Sequence, residues 1–157
     1  MAPALDLPAA YERMRPFPLG RAVVSRGYRL AAPYFLTIPA KLDVLEPGRA
    51  VASMPARPWT RNHLGTVHAI AQCNLAEFAM GAVAEATVPD THRWIPRGMT
   101  IDYLTKATGT LVAEATIALP KSLGDKVELP VEISLTDRKG HQVSHAQIRI
   151  WMTAKRT

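Results

Sequence analysis

The sequence of 157 residues predicts an α+β protein in which an antiparallel sheet wraps around one long helix. Two observations predict this class. The only long helical pattern covers residues 66–87, and after Pro96 the pattern changes to the two-residue alternation of strands. A chain of this length can form one domain with a substantial hydrophobic core.

The central helix is predicted from an apolar stripe and from many small residues. The stripe at helical spacing comprises Val67, Ile70, Ala71, Leu75, Phe78 and Ala82. Pro89 ends the pattern because proline cannot continue a helix. Alanines and Gly81 lie on the other sides and allow neighbouring backbone to come close. We therefore expect other elements to enclose this helix.

Six extended segments surround the helix in the sequence. The strand candidates are residues 36–46, 49–56, 98–107, 110–119, 126–136 and 142–153. Glu46-Pro47-Gly48 is a turn signal, so the first two segments should form a hairpin. Residues 127–135 alternate apolar and mostly polar side chains, which predicts one buried and one solvated face. Pro130 within them suggests a sheet edge or a bulge.

Two short helical patterns, at about 9–15 and 19–31, precede the first strand and are bounded by prolines. The second is basic and amphipathic. We favour a helix packed on the domain with its arginines in water, and a membrane-surface helix is the alternative. These patterns divide the chain into an N-terminal helical extension, residues 1–35, and a main domain, residues 36–157.

Composition narrows the classes of partner. The formal net charge is +6 and the sequence pI is about 9.8, which suits nucleic acid, anionic lipid or a phosphate-bearing small molecule. The basic residues are scattered among few aromatic residues, so nucleic-acid binding has little support. The single Cys73 cannot form an internal disulfide, and no segment has the length of a membrane span. We expect a cytoplasmic protein.

Polar residues lie at the predicted beginning of the central helix, and one carboxylate lies within it. Asn62, Gly65 and His68 precede Ala69. The free backbone N–H groups of a helix N-terminus could hold a carbonyl oxygen as it becomes an oxyanion, with Asn62 and His68 as further donors. Glu77 flanks the apolar stripe, where partial desolvation would make its carboxylate a better base near neutral pH.

Each of these residues also has a more ordinary interpretation. Asn62 could cap a turn, His68 could be a core histidine and Glu77 could be a surface glutamate. His63 and His68 are five residues apart, which is not the spacing of a helical zinc motif, so no metal site is predicted. Cys73 has apolar neighbours and is interpreted as a small hydrophobic residue, not as a nucleophile.

Helix geometry separates the two halves of this candidate site. From His68 to Glu77 the helix rises by roughly 13 Å, and the two side chains point to opposite sides. We call the beginning of the central helix, with Asn62, Gly65, His68 and Ala69, the helix mouth. If both residues act on one substrate, Glu77 of one subunit should meet the helix mouth of another subunit. A shared site of this kind predicts an obligate dimer.

The same residues resemble the active-site helix of hotdog-fold acyl-CoA thioesterases. The most similar branch is the phenylacetyl-CoA thioesterase (PaaI-like) one, with the pattern N-x-x-G-x-x-H-G-G and an acidic residue further along the helix. Asn62, Gly65 and His68-Ala69 match this pattern, and Glu77 follows Asn62 by 15 positions, as in that branch.

The resemblance covers about residues 36–153. Residues 99–111, "MTIDYLTKATGTL", resemble the first long strand and turn of that branch. The chain is especially similar to an uncharacterised bacterial subgroup that has an extra N-terminal helix and "NHLGTVHA" in place of the "HGG" form.

The resemblance implies a hotdog fold, in which a long central helix is wrapped by a curved antiparallel β-sheet, and a homodimer or homotetramer with sites at the interface. It implies that Glu77 is the general base or nucleophile and that Asn62 orients the water or the carbonyl. The Ala69 amide would polarise that carbonyl, with His68 holding the turn or donating. In two departures, Ala69 and Ile70 replace the two glycines, and glutamate replaces the more common aspartate.

The resemblance therefore implies hydrolysis of an acyl-CoA, or another acyl thioester, to a free acid and a thiol, with no cofactor or metal. His63, Gly65, Arg97 and Lys106 are candidate substrate-binding residues, the last two for the phosphates of coenzyme A. A non-catalytic acyl- or acyl-CoA-binding protein is the first alternative, and a hotdog hydratase is the second.

Overall fold

The computed structural model describes residues 5–155, which form three α-helices, two short 3₁₀ helices and six β-strands. The helices are α1 (Leu7–Met14), α2 (Gly20–Ala31) and α3 (Ala69–Thr87), and the 3₁₀ helices are Pro33–Thr37 and Pro58–Thr60. The strands are β1 (Lys41–Glu46), β2 (Arg49–Met54), β3 (His92–Tyr103), β4 (Leu111–Thr116), β5 (Lys126–Asp137) and β6 (Gln142–Ala154).

All six strands form one antiparallel sheet in the order β1-β2-β4-β5-β6-β3. The hairpin of β1 and β2 turns at Pro47 and Gly48, as predicted, and Gly48 has the positive φ of 84° that the turn requires. The strand after the central helix, β3, pairs with β6 along its length and forms one edge of the sheet.

The sheet packs its inner face against α3, which is enclosed as its alanines predict. Leu75, Phe78 and Ala82 of the predicted stripe are fully buried. Buried alanines on β2 and β4 leave room for the helix to approach the sheet, while larger aliphatic residues on β5 and β6 fill the other side. Ile70 departs from the prediction, because its side chain is 57% exposed.

Two sequence predictions about strand boundaries were wrong. Residues 36–40 are not extended, since a 3₁₀ helix ends at Thr37 and β1 begins at Lys41. Pro96 does not precede the next strand, because β3 begins at His92 and passes Pro96 through a register shift.

The prediction of an edge or bulge at Pro130 holds only locally. The strand β5 is interior, but its ladder with β4 covers only Glu132–Asp137. At Pro130, β5 therefore has no β4 partner on one side. On that side, the lack of an N–H in proline costs no hydrogen bond of the ladder.

The two N-terminal helices are attached to β1 by side-chain hydrogen bonds. The Tyr11 hydroxyl of α1 donates to the Asp43 carbonyl at 2.7 Å, and the Ser25 hydroxyl of α2 accepts from the Leu42 N–H at 2.8 Å. The helix α2 is packed as expected, but its buried side consists of Gly20, Val24, Ser25 and Tyr28. The amphipathic pattern of the sequence comprises Leu19, Val23, Tyr28 and Leu30, and of these only Tyr28 is buried, whereas the other three are more than half exposed.

Candidate functional site

The loop before α3 is organised by Asn62. Its side-chain oxygen accepts hydrogen bonds from the Leu64 N–H, the Thr66 N–H and the Thr66 hydroxyl at 3.0–3.2 Å. The Gly65 N–H donates to the Asn62 carbonyl, and Gly65 has a φ of +76°. A Cβ at Gly65 would meet nothing within 4 Å, so the turn requires glycine for its backbone angle. The side-chain NH₂ of Asn62 makes no hydrogen bond within residues 5–155.

His68 caps α3 and leaves other backbone donors of its first turn free. Its Nδ1 accepts from the Ile70 N–H at 3.1 Å, so the neutral ring carries its proton on Nε2. Its own N–H donates to the Thr60 carbonyl at 2.8 Å. The Ala69 N–H, between them, has no acceptor in the described part of the chain. The Ala71 N–H likewise has no acceptor among the described residues, so the first turn of α3 offers two unpaired backbone N–H groups at the positive end of the helix dipole, that of Ala69 being the first.

A buried polar pair fixes the first turn of α3 to the sheet. Gln72 donates from Nε2 to the Val67 carbonyl at 3.2 Å and accepts from the Ser144 hydroxyl at 2.9 Å. Both side chains are buried, so each bond is made in a low-dielectric environment. The beginning of α3 is therefore attached to the core as well as to the preceding loop.

Tyr103 at the end of β3 contacts the same turn. Its hydroxyl donates to the Ala69 carbonyl at 3.3 Å and lies 3.2 Å from the Cys73 sulfur. Burial, with the Cys73 contact, raises the pKa of Tyr103 to about 12, so the hydroxyl is neutral at physiological pH. Tyr103 therefore connects the end of β3 to the first turn of α3.

A small cleft of about 230 Å³ opens beside the mouth, and we call it the helix-mouth cleft. Its lining includes Tyr34, Thr37, Trp59, His68, Ile70 and Asn74. The Asn74 amide donates to the Thr37 hydroxyl at 2.9 Å, and its side-chain oxygen is buried without a hydrogen-bond partner in the described residues. Trp59 and Ile70 are largely exposed, so this side of the mouth is apolar and open.

Glu77 lies in a different and larger cleft of about 410 Å³ between α2 and α3, which we call the α2–α3 cleft. Its lining includes Leu5, Tyr28, Glu77, Met80, Glu85 and Trp94. The Glu77 side chain is half-buried there. Within one protomer, Glu77 and His68 therefore face different clefts, as the helix geometry predicted.

Burial changes the ionisation of two other groups in the α2–α3 cleft. The pKa of Tyr28 is raised, first by burial and then by the nearby carboxylates of Glu85 and Glu77. The pKa of Glu85 is also raised by burial, although the Trp94 side chain opposes this shift. The cleft is thus largely apolar but contains a neutral hydroxyl between two carboxylates.

The other candidate binding residues lie apart from one another. Arg97 pairs with Glu128 at 3.7 Å and lies 4.2 Å from the centre of the Trp151 ring, so its charge is already engaged. Lys106 is exposed and adjoins Ala107, whose carbonyl accepts the Val67 N–H beside the mouth. His63 is exposed in the mouth loop.

No group of three or more His, Cys, Asp or Glu residues within 5–155 could hold a metal ion. None of the described helices is long and apolar enough to cross a membrane.

The sequence did not indicate Tyr28, Glu85, Gln72 or Asn74 as site residues. Their roles depend on contacts between distant segments. Tyr28, for example, packs on Phe78 of α3, and Gln72 accepts a hydrogen bond from Ser144 of β6. A polar residue within an otherwise apolar helix was the only available signal, and Gln72 and Asn74 both carry it.

The comparisons with known proteins agree on the fold. The genomics protein APC5556 is 35% identical over 96% of this chain and 99% of its own, with a TM-score of 0.82. PA5026 from Pseudomonas aeruginosa, described as a protein of unknown function and probable thioesterase, is 22% identical over 88% and 97%, with a TM-score of 0.73. The thioesterase enzyme SAV0944 from Staphylococcus aureus is 20% identical over 77% and 98%, with a TM-score of 0.67. No curated protein matches the chain significantly.

These likenesses define a hotdog-fold protein whose structural neighbours include thioesterase-family proteins, which confirms the resemblance inferred from the helix motif. The model of the family described as "Domain of unknown function (DUF4442)" matches residues 20–152. Because this match spans most of the sequence, the chain belongs to that family. The matched region includes α2 as well as the sheet and α3.

Proposed function

We propose that the protein hydrolyses acyl thioesters, with acyl-coenzyme A as the substrate. The observation that carries this proposal is the unpaired Ala69 N–H at the beginning of α3. It lies at the same loop–helix junction as the free NH₂ of Asn62 and the Nε2–H of His68. Such a set of donors without an internal acceptor suits the oxyanion that forms when a thioester carbonyl is attacked.

The chemistry needs one carboxylate and one water in addition to these donors. Glu77 takes a proton from the water as its oxygen attacks the carbonyl carbon, and the carbonyl oxygen becomes an oxyanion bound by the Ala69 N–H. Collapse of this intermediate expels the thiolate and leaves the free acid. A thioester lacks strong amide resonance, so this small set of groups is sufficient without a cofactor or metal.

We further propose that the active form is a dimer that shares its sites. From Ala69 to Glu77 α3 rises by about 12 Å, whereas a general base must lie within about 3 Å of its proton or act through one water. The outer edge of β3 is twelve residues long, has no strand partner among the described residues and exposes Ile95. Pairing of two such edges would bring the α3 helices of two protomers together.

The charge of the protein supports coenzyme A over a neutral thiol carrier. The net charge is +6, and Lys106 adjoins the segment that bonds to the mouth. We assign phosphate contacts to Lys106, since Arg97 is engaged by Glu128 and Trp151. The lone Cys73 agrees with a reducing cytoplasm. We also propose that the chain consists of an N-terminal extension, residues 1–35, and a main domain, residues 36–157.

The test is thiol release from short, long and aryl acyl-CoAs by wild type, Glu77→Gln and Ala69→Pro. Ala69 is the first residue of α3, where proline fits the backbone and removes only the N–H. We expect Glu77→Gln to lose about 100-fold or more of turnover and Ala69→Pro about 100- to 1,000-fold. Ala69→Gly, which keeps the N–H, is the matched control. Wild type without turnover on the whole panel would favour an acyl-binding protein, and full activity of Glu77→Gln would exclude its role as the base.

The shared site has its own test, which mixes the two inactive variants. A dimer of one Glu77→Gln and one Ala69→Pro subunit contains one site with both changes and one site with neither. Random exchange of subunits should therefore restore about a quarter of wild-type activity. No recovery after verified exchange would mean that each site lies within one chain.

A further inference from the structure

The α2–α3 cleft contains a hydroxyl that its packing does not explain. Tyr28 is 9% exposed, and its ring lies 5.6 Å from that of Phe35 and 5.0 Å from that of Phe78. Phenylalanine would make the same ring contacts. The Tyr28 hydroxyl makes no hydrogen bond within residues 5–155, and its oxygen is not fully buried, so it is open to a partner that enters the cleft.

The backbone of α3 makes room for this hydroxyl. A Cβ at position 81 would overlap the Tyr28 hydroxyl oxygen, so Gly81 lets it lie against the helix. The hydroxyl is thereby held at the level of Gly81, one helical turn from Glu77 on one side and from Glu85 on the other. One turn is about 5–6 Å along the helix axis.

A ligand hydroxyl complements this arrangement better than a plain alkyl chain does. Its oxygen can accept the proton of the Tyr28 hydroxyl, and its own proton can go to the Glu85 carboxylate. The rest of the lining, with Leu5, Met80 and Trp94, suits an apolar chain or ring. A carbonyl group would satisfy only Tyr28, because it has no proton to donate.

We propose that the α2–α3 cleft receives the acyl group and that Tyr28 selects acyl groups bearing a hydroxyl several carbons beyond the thioester carbonyl. This inference rests on the proposed function, which places the thioester carbonyl beside Glu77. The selecting residue comes from α2, so the N-terminal helices form a wall of the substrate site and determine its specificity.

The test measures binding, so it does not depend on turnover. The probes are octanamide and a series of hydroxyoctanamides with the hydroxyl moved along the chain, titrated into wild type and Tyr28→Phe by calorimetry. Neutral amides are used because Glu77 would repel a free carboxylate. We expect one hydroxy isomer to bind wild type about tenfold more tightly than octanamide, which is the gain from one net hydrogen bond.

In Tyr28→Phe that preference should vanish while the affinity for octanamide stays unchanged. Tyr34→Phe, a tyrosine in the helix-mouth cleft, is the matched control and should keep the preference. Equal preference in wild type and Tyr28→Phe, or no preference for any isomer in wild type, would overturn the proposal. Selective binding by a protein that hydrolyses no thioester would instead reject the proposed function and retain the role of Tyr28.

Discussion

Replacing Gly81 with alanine would test the contact that fixes the Tyr28 hydroxyl. Alanine in the interior of a helix is favoured over glycine by about 1 kcal/mol. Here its Cβ would overlap the Tyr28 hydroxyl oxygen, and the tyrosine ring is confined by Phe35 and Phe78. Overpacking of a dense core costs about 1–3 kcal/mol, so we expect a net loss of up to about 2 kcal/mol of unfolding free energy.

The same substitution should behave differently when the hydroxyl is absent. In Tyr28→Phe, the nearest atoms to the new Cβ are the ring carbon Cζ and Trp94 Cη2, both at 3.7 Å, which is ordinary contact. Gly81→Ala should then be neutral or stabilising, and the double-mutant cycle should show a coupling of about 1–3 kcal/mol. Urea unfolding of the four proteins measures it.

A second glycine provides the control. A Cβ on Gly27, within α2, would meet only the Leu5 side chain at 3.9 Å, so Gly27→Ala should stabilise the protein by about 0.5–1 kcal/mol. If Gly81→Ala is as stabilising beside Tyr28 as beside phenylalanine, the hydroxyl does not lie against α3. Tyr28 would then not be placed to select acyl groups that bear a hydroxyl.

Two further predictions concern a carboxylate of the α2–α3 cleft and a polar pair of the core. Burial raises the pKa of Glu85 above its ordinary 4.5, so the folded state binds the proton more tightly and stability falls as the pH rises through this range. Glu85→Gln should therefore raise the melting temperature at neutral pH, with the gain lost below pH 4.5. Ser144→Ala removes the donor to the buried Gln72 oxygen and should cost about 1–3 kcal/mol in urea unfolding, against little change for the exposed Ser122→Ala.

The fold could be predicted because its main signals are local. A helical stripe over one segment and two-residue alternation over four others fix the elements, and proline and glycine mark the turns between them. The errors occur where tertiary pairing overrides a local signal. Pro96 is a helix and strand breaker in isolation, yet β3 continues through it because eleven of its residues pair with β6.

The site could be predicted only in part, for a related physical reason. The spacing of Asn62, His68 and Glu77 follows from the sequence, and so does their separation along α3. The orientation of each side chain does not. The Asn62 oxygen accepts hydrogen bonds from the loop, and His68 uses its Nδ1 for the cap. The Asn62 NH₂ and the His68 Nε2 therefore have no partner among the described residues. Tyr28 carries no local signal of a site role, because Phe78 and Gly81, against which its ring and hydroxyl lie, are about fifty residues further along the chain.

The distance between the free N–H of Ala69 and the Glu77 carboxylate has a direct consequence for assembly. The helix α3 is buried along most of its length and anchored at its first turn through Gln72, so it cannot bend to bring the two groups together. Either the two groups act on different molecules, or each site combines the Ala69 N–H of one α3 with the Glu77 carboxylate of a second α3. The open edge of β3 lies beside α3, so the second α3 can come from another copy of this chain that pairs at this edge. The wall that α2 forms behind Glu77 would then enclose an acyl group whose carbonyl is held by the helix mouth of the partner subunit.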